Sequence, residues 1–345
     1  MVAERYAGGE TYKDIAEALF IAPATVRNHL AAIYRKLGVS GKPGLISALA
    51  ESSSIASQAS PTEIGLIDQS PVRYCPSSDG ANIAYVQVGN GYPLVLCGSW
   101  MTHLEWDWSN PGWGHHLSHL AKDFTLIRYD QRGNGMSDWN VDISFDKMVD
   151  DLRSVIDCYD YEKVAIFGPS QAASVSIAYT REHPQRVSHL ILYGGYARGR
   201  RRRGDPEAEA ESEALVTLIR QGWGRENPAF RQTLTSLFMP DASQEQAAWF
   251  NKFQKACGPG PNIARFREVF DKMDIADLVA GVKVPTLVVH CVEDSVSPLS
   301  EGKFLASRIS GAQFVTLNSR SHMLLENDPE FPRFLHSVRE FLKSV

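Results

Sequence analysis

Ser170 is the residue whose setting most suggests chemistry. The stretch VAIFGPSQAAS, residues 164–174, reads as a short apolar strand, a tight turn with the serine at its tip, and a helix rich in small residues. A serine hydroxyl is a poor nucleophile at neutral pH. It needs a base to take its proton and a third group to orient that base. Two later loops offer such groups, each just past an apolar run. PTLVVHCVEDSVSP, residues 285–298, carries Glu293 and Asp294 after a strand expected over 286–291. LNSRSHMLLENDP, residues 317–329, carries His322 after a strand expected over 312–317. Taken singly, neither loop is telling: the chain has ten histidines, and turns often contain aspartate.

Groups so far apart in sequence need a rigid scaffold to bring them together. NIAYVQV, YPLVLCG and FTLIRYD read as strands, as do KVAIFG, HLILYG, TLVVHC and AQFVTLN. A helix is expected over 145–157, where Phe145, Met148, Val149, Leu152, Val155 and Ile156 share one face, with Ser144 as its N-cap. Strands and helices alternate from about residue 72, which points to an α/β domain with a mostly parallel sheet. Between roughly 197 and 280 the strand pattern gives way to helical stretches, read as a cap over the sheet. A last helix is expected from about 329 to 345. The cap opens with RGRRRRGDPEAEAESEA, five arginines followed by glutamates. Such a cluster can bind phosphate or nucleic acid; the plainer reading is a solvated loop and helix start whose charges neutralise each other. Residues 51–71 are rich in Ser, Ala and polar residues and read as a linker. It separates a short all-α segment, residues 1–50, from the α/β domain, residues 72–345.

Composition agrees with a globular chain. The 345 residues are 43% hydrophobic and 22% charged, with a net charge of −5, which does not advertise nucleic-acid or membrane binding by the whole molecule. The chain shows no early run of signal-peptide type and no apolar stretch near about 18 residues, so a cytoplasmic location and no membrane partner are expected. The five cysteines are widely spaced and odd in number, which suggests buried free thiols rather than disulfides or a zinc site. No metal and no cofactor are called for.

Together these residues resemble the α/β-hydrolase superfamily. GPSQA resembles its G-x-S-x-G nucleophile elbow with alanine in place of the second glycine. That glycine lets the following helix pack closely, and Ala172, Ala173 and Ser174 are all small enough to meet the same need. YDQRGNGMSD resembles the family's D-x-R-G-x-G-x-S loop, a structural element, here Asp130, Arg132, Gly133, Gly135 and Ser137. The resemblance covers about residues 72–345 and implies a chain order of Ser, then Asp or Glu, then His. Asp294 then orients the base, with Glu293 its rival; the pattern His290-x-x-x-Asp294-x-x-x-Pro298 favours Asp294. His322 is the histidine in the right slot, while His336 falls within the last helix. The resemblance also implies two oxyanion donors, the backbone N–H of Gln171 and one from the loop Gly98-Ser99-Trp100-Met101, assigned to Trp100. Many relatives carry His-Gly in this loop, whereas this chain has Gly-Ser. Trp100, Trp106, Trp108 and Trp113 lie near it and could line an acyl pocket or simply pack. Serine at the elbow, rather than aspartate, speaks against the dehalogenase and epoxide-hydrolase branches.

Residues 11–49, TYKDIAEALFIAPATVRNHLAAIYRKLGVSGKPGLISAL, resemble a LuxR-type helix-turn-helix. A first helix over about 12–20 would be followed by a second over about 23–37, and in the family the second enters the major groove. The resemblance implies that Lys13, Thr25, Asn28, His29 and Lys36 face DNA. The first 50 residues carry a net charge of +2. Of the further helix with which family members begin, VAERYAG is the only part expected here, so the segment reads as truncated.

Two functions follow. One is a serine hydrolase that cleaves an ester, thioester or lactone, with a small acyl compound as its partner. The other is a LuxR-type transcription regulator whose hydrolase-like domain senses a small molecule, with DNA as partner. Lyase and perhydrolase reactions share the same three residues.

Overall fold

The structure is a computed structural model. It describes residues 70–343 continuously and, before them, residues 6, 10–18, 23, 26, 27, 30, 33, 34, 39, 42, 44 and 45. The chain divides into two compact units, Met1–Leu66 and Ile67–Val345.

The larger unit is built on an eight-stranded sheet. In chain order its strands are β1 (Arg73–Pro76), β2 (Asn82–Val88), β3 (Tyr92–Leu96), β4 (Phe124–Tyr129), β5 (Val164–Pro169), β6 (Val187–Tyr193), β7 (Thr286–Cys291) and β8 (Gln313–Leu317), and their spatial order is β1-β2-β4-β3-β5-β6-β7-β8. β2 pairs antiparallel with β1 and β4, and every other pairing is parallel. Strands covered on both faces are mostly apolar, and β4, β5 and β7 are buried throughout. Leu94, Phe167, Ile191 and Val289 face one core with Leu117, Leu120, Phe334 and Val338. Those last four belong to helices α2 (Gly114–Asp123) and, for the phenylalanine and valine, the C-terminal Phe331–Leu342. Val95, Ile127, Ile166 and Val288 face the other core, against α3 (Phe145–Asp157) and α4 (Ala172–Glu182).

The expected strands from 82 onward and the helix over 145–157 are present. β1 was not anticipated. Its four residues are mostly exposed, with Cys75 alone buried, so they carry little pattern. α2 was also unforeseen. Ser144 takes the N-cap position with extended backbone, φ −139° and ψ 161°, but its side chain makes no capping bond. The end of the helix is held instead by the Ser144 carbonyl, which accepts from the Met148 N–H at 3.2 Å. Cys75, Cys97, Cys257 and Cys291 are buried free thiols, whereas Cys158 is exposed because it lies at the open end of α3.

Between β6 and β7 the chain forms the helical cap: α5 (Pro206–Gly222), α6 (Ala229–Phe238), α7 (Gln244–Cys257), α8 (Gly260–Lys272) and the short α9 (Ala276–Val279). α10 (Leu299–Arg308) follows β7, and the C-terminal helix is α11. α5 starts with Asp205 accepting from the Glu207 N–H and proline at its first position, and α7 with a reciprocal Ser243–Gln246 capping box. The arginine-rich entry is only partly the solvated, self-neutralising loop expected. Arg201 pairs with Glu213 at 2.6 Å, but Arg200 is buried and donates to the Val296 carbonyl at 3.1 Å.

In the smaller unit, helix α1 (Tyr12–Ala18) starts at Thr11. The Thr11 N–H and hydroxyl both donate to Asp14, at 3.0 and 2.7 Å, and the Asp14 N–H returns a bond to Thr11 Oγ1 at 3.3 Å. Pro23, Val26, Arg27, Leu30, Ile33 and Tyr34 are also helical. Ile15, Ala16, Val26, Leu30 and Leu45 form a small buried core, with Tyr6 stacked on Tyr12 at its edge. Among the described residues no helix is long and apolar enough to cross a membrane.

Candidate active site

Ser170 stands between β5 and α4 with φ +54°. Left-handed backbone costs a non-glycine residue about 1–3 kcal/mol and persists only where the surroundings fix it. Here the Ser170 N–H donates to the Tyr193 carbonyl at the end of β6, 2.8 Å away, and its own carbonyl accepts from the Ala173 N–H at 3.1 Å. The turn also needs small neighbours. A Cβ on Gly168 would lie 2.5 Å from Ser176 Oγ, and one on Gly195 would lie 2.4 Å from the Ala173 Cβ. Ala172 is fully buried and fits within the start of α4. Close packing at the elbow is therefore supplied by Gly168 and Gly195 together with Ala172 and Ala173.

β7 and β8 deliver the other two groups. Asp294 and His322 meet through Asp294 Oδ2 and His322 Nδ1 at 2.7 Å, and both side chains are buried. The other carboxylate oxygen accepts from the Val296 and Ser297 N–H groups at 2.8 and 3.0 Å. Burial alone would raise the Asp294 carboxyl, but the charge and hydrogen bond of His322, the nearby His290 and the Ser297 amide outweigh it and hold the group below the usual carboxylate range. Glu293, the rival, is exposed, and its backbone N–H donates to the Ser319 carbonyl at 3.2 Å. His290 supports the acid loop: its Nε2 lies 2.9 Å from the Ser297 carbonyl, and burial lowers its basicity.

Three contacts hold the His322 loop that sequence reasoning did not supply. The Tyr193 hydroxyl donates to the His322 carbonyl at 2.9 Å, the Met323 N–H donates to the cap carbonyl of Phe238 at 3.0 Å, and His116 Nε2 lies 3.0 Å from the Leu324 carbonyl. The Phe238 ring also meets the His322 ring edge-on at 5.4 Å. Tyr193 and His116 lie in elements far from His322 in sequence, so no local pattern marks them.

Ser170, Gln171 and His322 line one cavity of about 20 Å³. Trp100, Met101 and Trp113 close it from the loop after β3, and Phe238, Phe250 and Phe253 from the cap. Met101 has φ +64°, so the two non-glycine residues with left-handed backbone among the described residues both face this cavity. Of the four tryptophans, Trp100 and Trp113 reach it. Trp106 packs on Trp249 of the cap, and Trp108 lies under the Arg128 guanidinium at 4.6 Å. The loop after β3 is anchored from below. The Leu104 N–H donates to Asp130 Oδ2 at 3.1 Å, and Arg128 donates to the Leu104 carbonyl at 2.9 Å. The YDQRGNGMSD segment is structural: Ser137 donates to the Asp130 carbonyl at 2.6 Å, and Arg132 is buried between Asp151 and Asp79 at 2.7 and 2.8 Å. A Cβ on Gly135 would fall 2.2 Å from Asp130 Oδ2, so glycine is required there.

Of the expected DNA-facing residues, Lys13 is exposed on the first helix. Thr25, Asn28, His29 and Lys36 lie outside the described residues. Among the described residues no group of three or more His, Cys, Asp or Glu side chains is placed to hold a metal ion.

The sheet order, the serine turn and the paired acid and histidine define an enzyme-like α/β scaffold, and comparison with known proteins agrees. The alpha/beta hydrolase fold family matches residues 92–329, and the luxR family of bacterial regulatory proteins matches residues 1–49. The chain belongs to the alpha/beta hydrolase fold family, which supports a hydrolase, and it carries a LuxR-type segment at its N-terminus. It is 26% identical over 263 residues to the pyrrolizixenacetamide deacetylase of Xenorhabdus hominickii, covering 74% of this chain and 94% of that protein. It is 22% identical over 237 residues to 3-oxoadipate enol-lactonase 1 of Acinetobacter baylyi, covering 68% and 84%. An esterase from Exiguobacterium antarcticum has the same fold, with a TM-score of 0.67, 19% identity and coverage of 78% and 98%.

Proposed function

We propose that the chain hydrolyses a carboxylic ester, thioester or lactone through an acyl-enzyme. Ser170 Oγ attacks the acyl carbon while His322 takes its proton. The oxyanion so formed accepts from the backbone N–H groups of Gln171 and Trp100. The intermediate collapses, the acyl–oxygen or acyl–sulfur bond breaks, and the leaving group takes the proton from His322. Water then attacks the acyl-enzyme with His322 as base, and Ser170 recovers its proton. Asp294 accepts the Nδ1–H of His322, which leaves Nε2 free to act as the base.

The observation that carries this reading is the 2.7 Å contact between Asp294 and His322, with His322 and the strained Ser170 on the wall of one cavity. The deacetylase and the enol-lactonase above, by their names, also cleave acyl bonds. A fluorophosphonate probe tests it. Ser170 should form a covalent adduct, and Ser170→Ala should abolish labelling and lower kcat by several orders of magnitude. Labelling that persists in the alanine variant sinks the assignment.

A second reading is favoured by the luxR family match over residues 1–49. In it the hydrolase unit senses a small molecule and the N-terminal unit contacts DNA. A working set of Ser170, His322 and Asp294 is not needed for sensing alone, so hydrolysis is preferred as the main activity.

A further inference from the structure

Two residues that line the cavity beside Ser170 carry buried side-chain donors. The indole nitrogen of Trp100 and the carboxamide nitrogen of Gln171 are both buried without a hydrogen-bond partner among the described residues. Trp100 is 7% exposed and Gln171 3%, and both residues line the cavity. Burying an N–H without an acceptor costs about 1–3 kcal/mol, which a bound acceptor would offset. Their positions are also fixed. Trp100 packs against Phe238 at 6.0 Å, with the Arg267 guanidinium 5.6 Å from its ring, and Arg267 is itself paired with Asp271. Gln171 opens α4 directly after the nucleophile.

Resting on the acyl-transfer reading of this site, we infer that Trp100 Nε1–H and the Gln171 side-chain NH₂ form a second acceptor-binding subsite. It is separate from the backbone oxyanion donors. The substrate is then an acyl compound with a second oxygen acceptor, keto or ether, close to the scissile carbonyl. Proximity follows from position: Trp100 and Gln171 line the same cavity as Ser170. The second acceptor is uncharged. Among the described residues lining the cavity none is Lys or Arg, and an unpaired buried carboxylate would be strongly disfavoured. The chemistry of hydrolysis is unchanged. The two donors add binding energy and orientation, and they discriminate because an analogue without the acceptor leaves them unpaired.

The test uses the full chain and two esters of equal shape, 4-nitrophenyl methoxyacetate and 4-nitrophenyl butyrate, which differ by an ether oxygen in place of a methylene. The readout is the ratio of their kcat/KM values divided by the ratio of their rates with hydroxide, so that intrinsic reactivity cancels. The wild type should favour the methoxyacetate by about 5–10-fold on this scale. Trp100→Phe, which keeps the ring and removes the N–H, and Gln171→Leu should each bring the ratio toward one, whatever their absolute rates. Fluorophosphonate titration counts working sites in each variant, and Gln171→Met provides a second replacement. If a variant fails to fold, the wild-type ratio decides. A wild-type ratio of one overturns the proposal, and this is also the result if the donors merely hold water. A preference that survives both substitutions overturns it as well. Failure to turn over either ester, with no adduct at Ser170, instead overturns the hydrolase reading and the subsite with it.

Discussion

Replacing Asp294 by asparagine tests the site most sharply, because the backbone around it dictates the outcome. One carboxylate oxygen takes two N–H bonds, from Val296 at 2.8 Å and Ser297 at 3.0 Å, and the other takes His322 Nδ1 at 2.7 Å. An asparagine has one acceptor and one donor end. With its oxygen on the two amides, its NH₂ points at His322 and forces Nδ1 to accept. The proton then sits on Nε2, where it cannot take one from Ser170. The opposite orientation restores the working tautomer but sets the NH₂ against two buried N–H groups, each costing about 1–3 kcal/mol when unpaired. The working form is thus suppressed between about 30-fold and 10⁴-fold. The upper end matches the loss of about 10⁴ in kcat for the same change in a Ser-His-Asp triad elsewhere. The assay is kcat on a 4-nitrophenyl ester, with working sites counted by fluorophosphonate and the Glu293→Gln variant alongside. Glu293 is exposed, so its loss should change kcat by no more than a few fold. An Asp294→Asn enzyme within tenfold of wild type, or a larger loss for Glu293→Gln, refutes the assignment.

The remaining expectations can be measured with the same proteins. The Asp294 carboxyl titrates below its ordinary range, so the native state holds this proton less readily than the unfolded chain. Its contribution to stability is complete above the unfolded value near about 4 and is lost as pH falls through the depressed native value; Tm followed through acid pH should fall more steeply for wild type than for Asp294→Asn. Tyr193→Phe removes the O–H bond to the His322 carbonyl and should cost about 1 kcal/mol of stability, seen in urea unfolding, along with a drop in kcat that exceeds any change in KM. Removing residues 1–65 should leave esterase activity nearly unchanged. The full chain should bind DNA weakly, in the salt-sensitive and sequence-independent manner of phosphate contacts. A mobility-shift selection that enriches one palindrome at physiological salt, with binding lost in Lys36→Ala or His29→Ala, would overturn that last expectation.

The parts of the site legible in the sequence are those that repeat a local pattern. Ser170, Asp294 and His322 each follow an apolar strand within a few residues, so strand, turn and side chain can be read from one window. The cap was legible as a region for a related reason: helices over 206–272 replace the alternating strands on either side. What could not be read is whatever depends on partners from another element. Tyr193 looks like the last apolar residue of a strand until the His322 carbonyl is placed above its hydroxyl. Arg200 looks like one of five solvated arginines until the Val296 carbonyl from the acid loop is placed against it. β1 was illegible for the opposite reason. A four-residue edge strand with one buried side chain has too little pattern to show.

The substitution of alanine for glycine at the elbow follows the same physics. A glycine there is commonly read as room for the helix to approach the sheet. In this chain the approach depends on Gly195, where an added Cβ would lie 2.4 Å from the Ala173 Cβ. The Ala173 methyl of α4 thus occupies space left open by a glycine on the neighbouring strand connection. The steric requirement at this point belongs to the pair of elements, and Ala172 is fully buried at the start of α4 while Ser170 keeps its left-handed backbone. Enlarging Gly195 should therefore press on Ala173 and the Ser170 carbonyl and disturb the serine turn, although Gly195 lies outside the sequence motif.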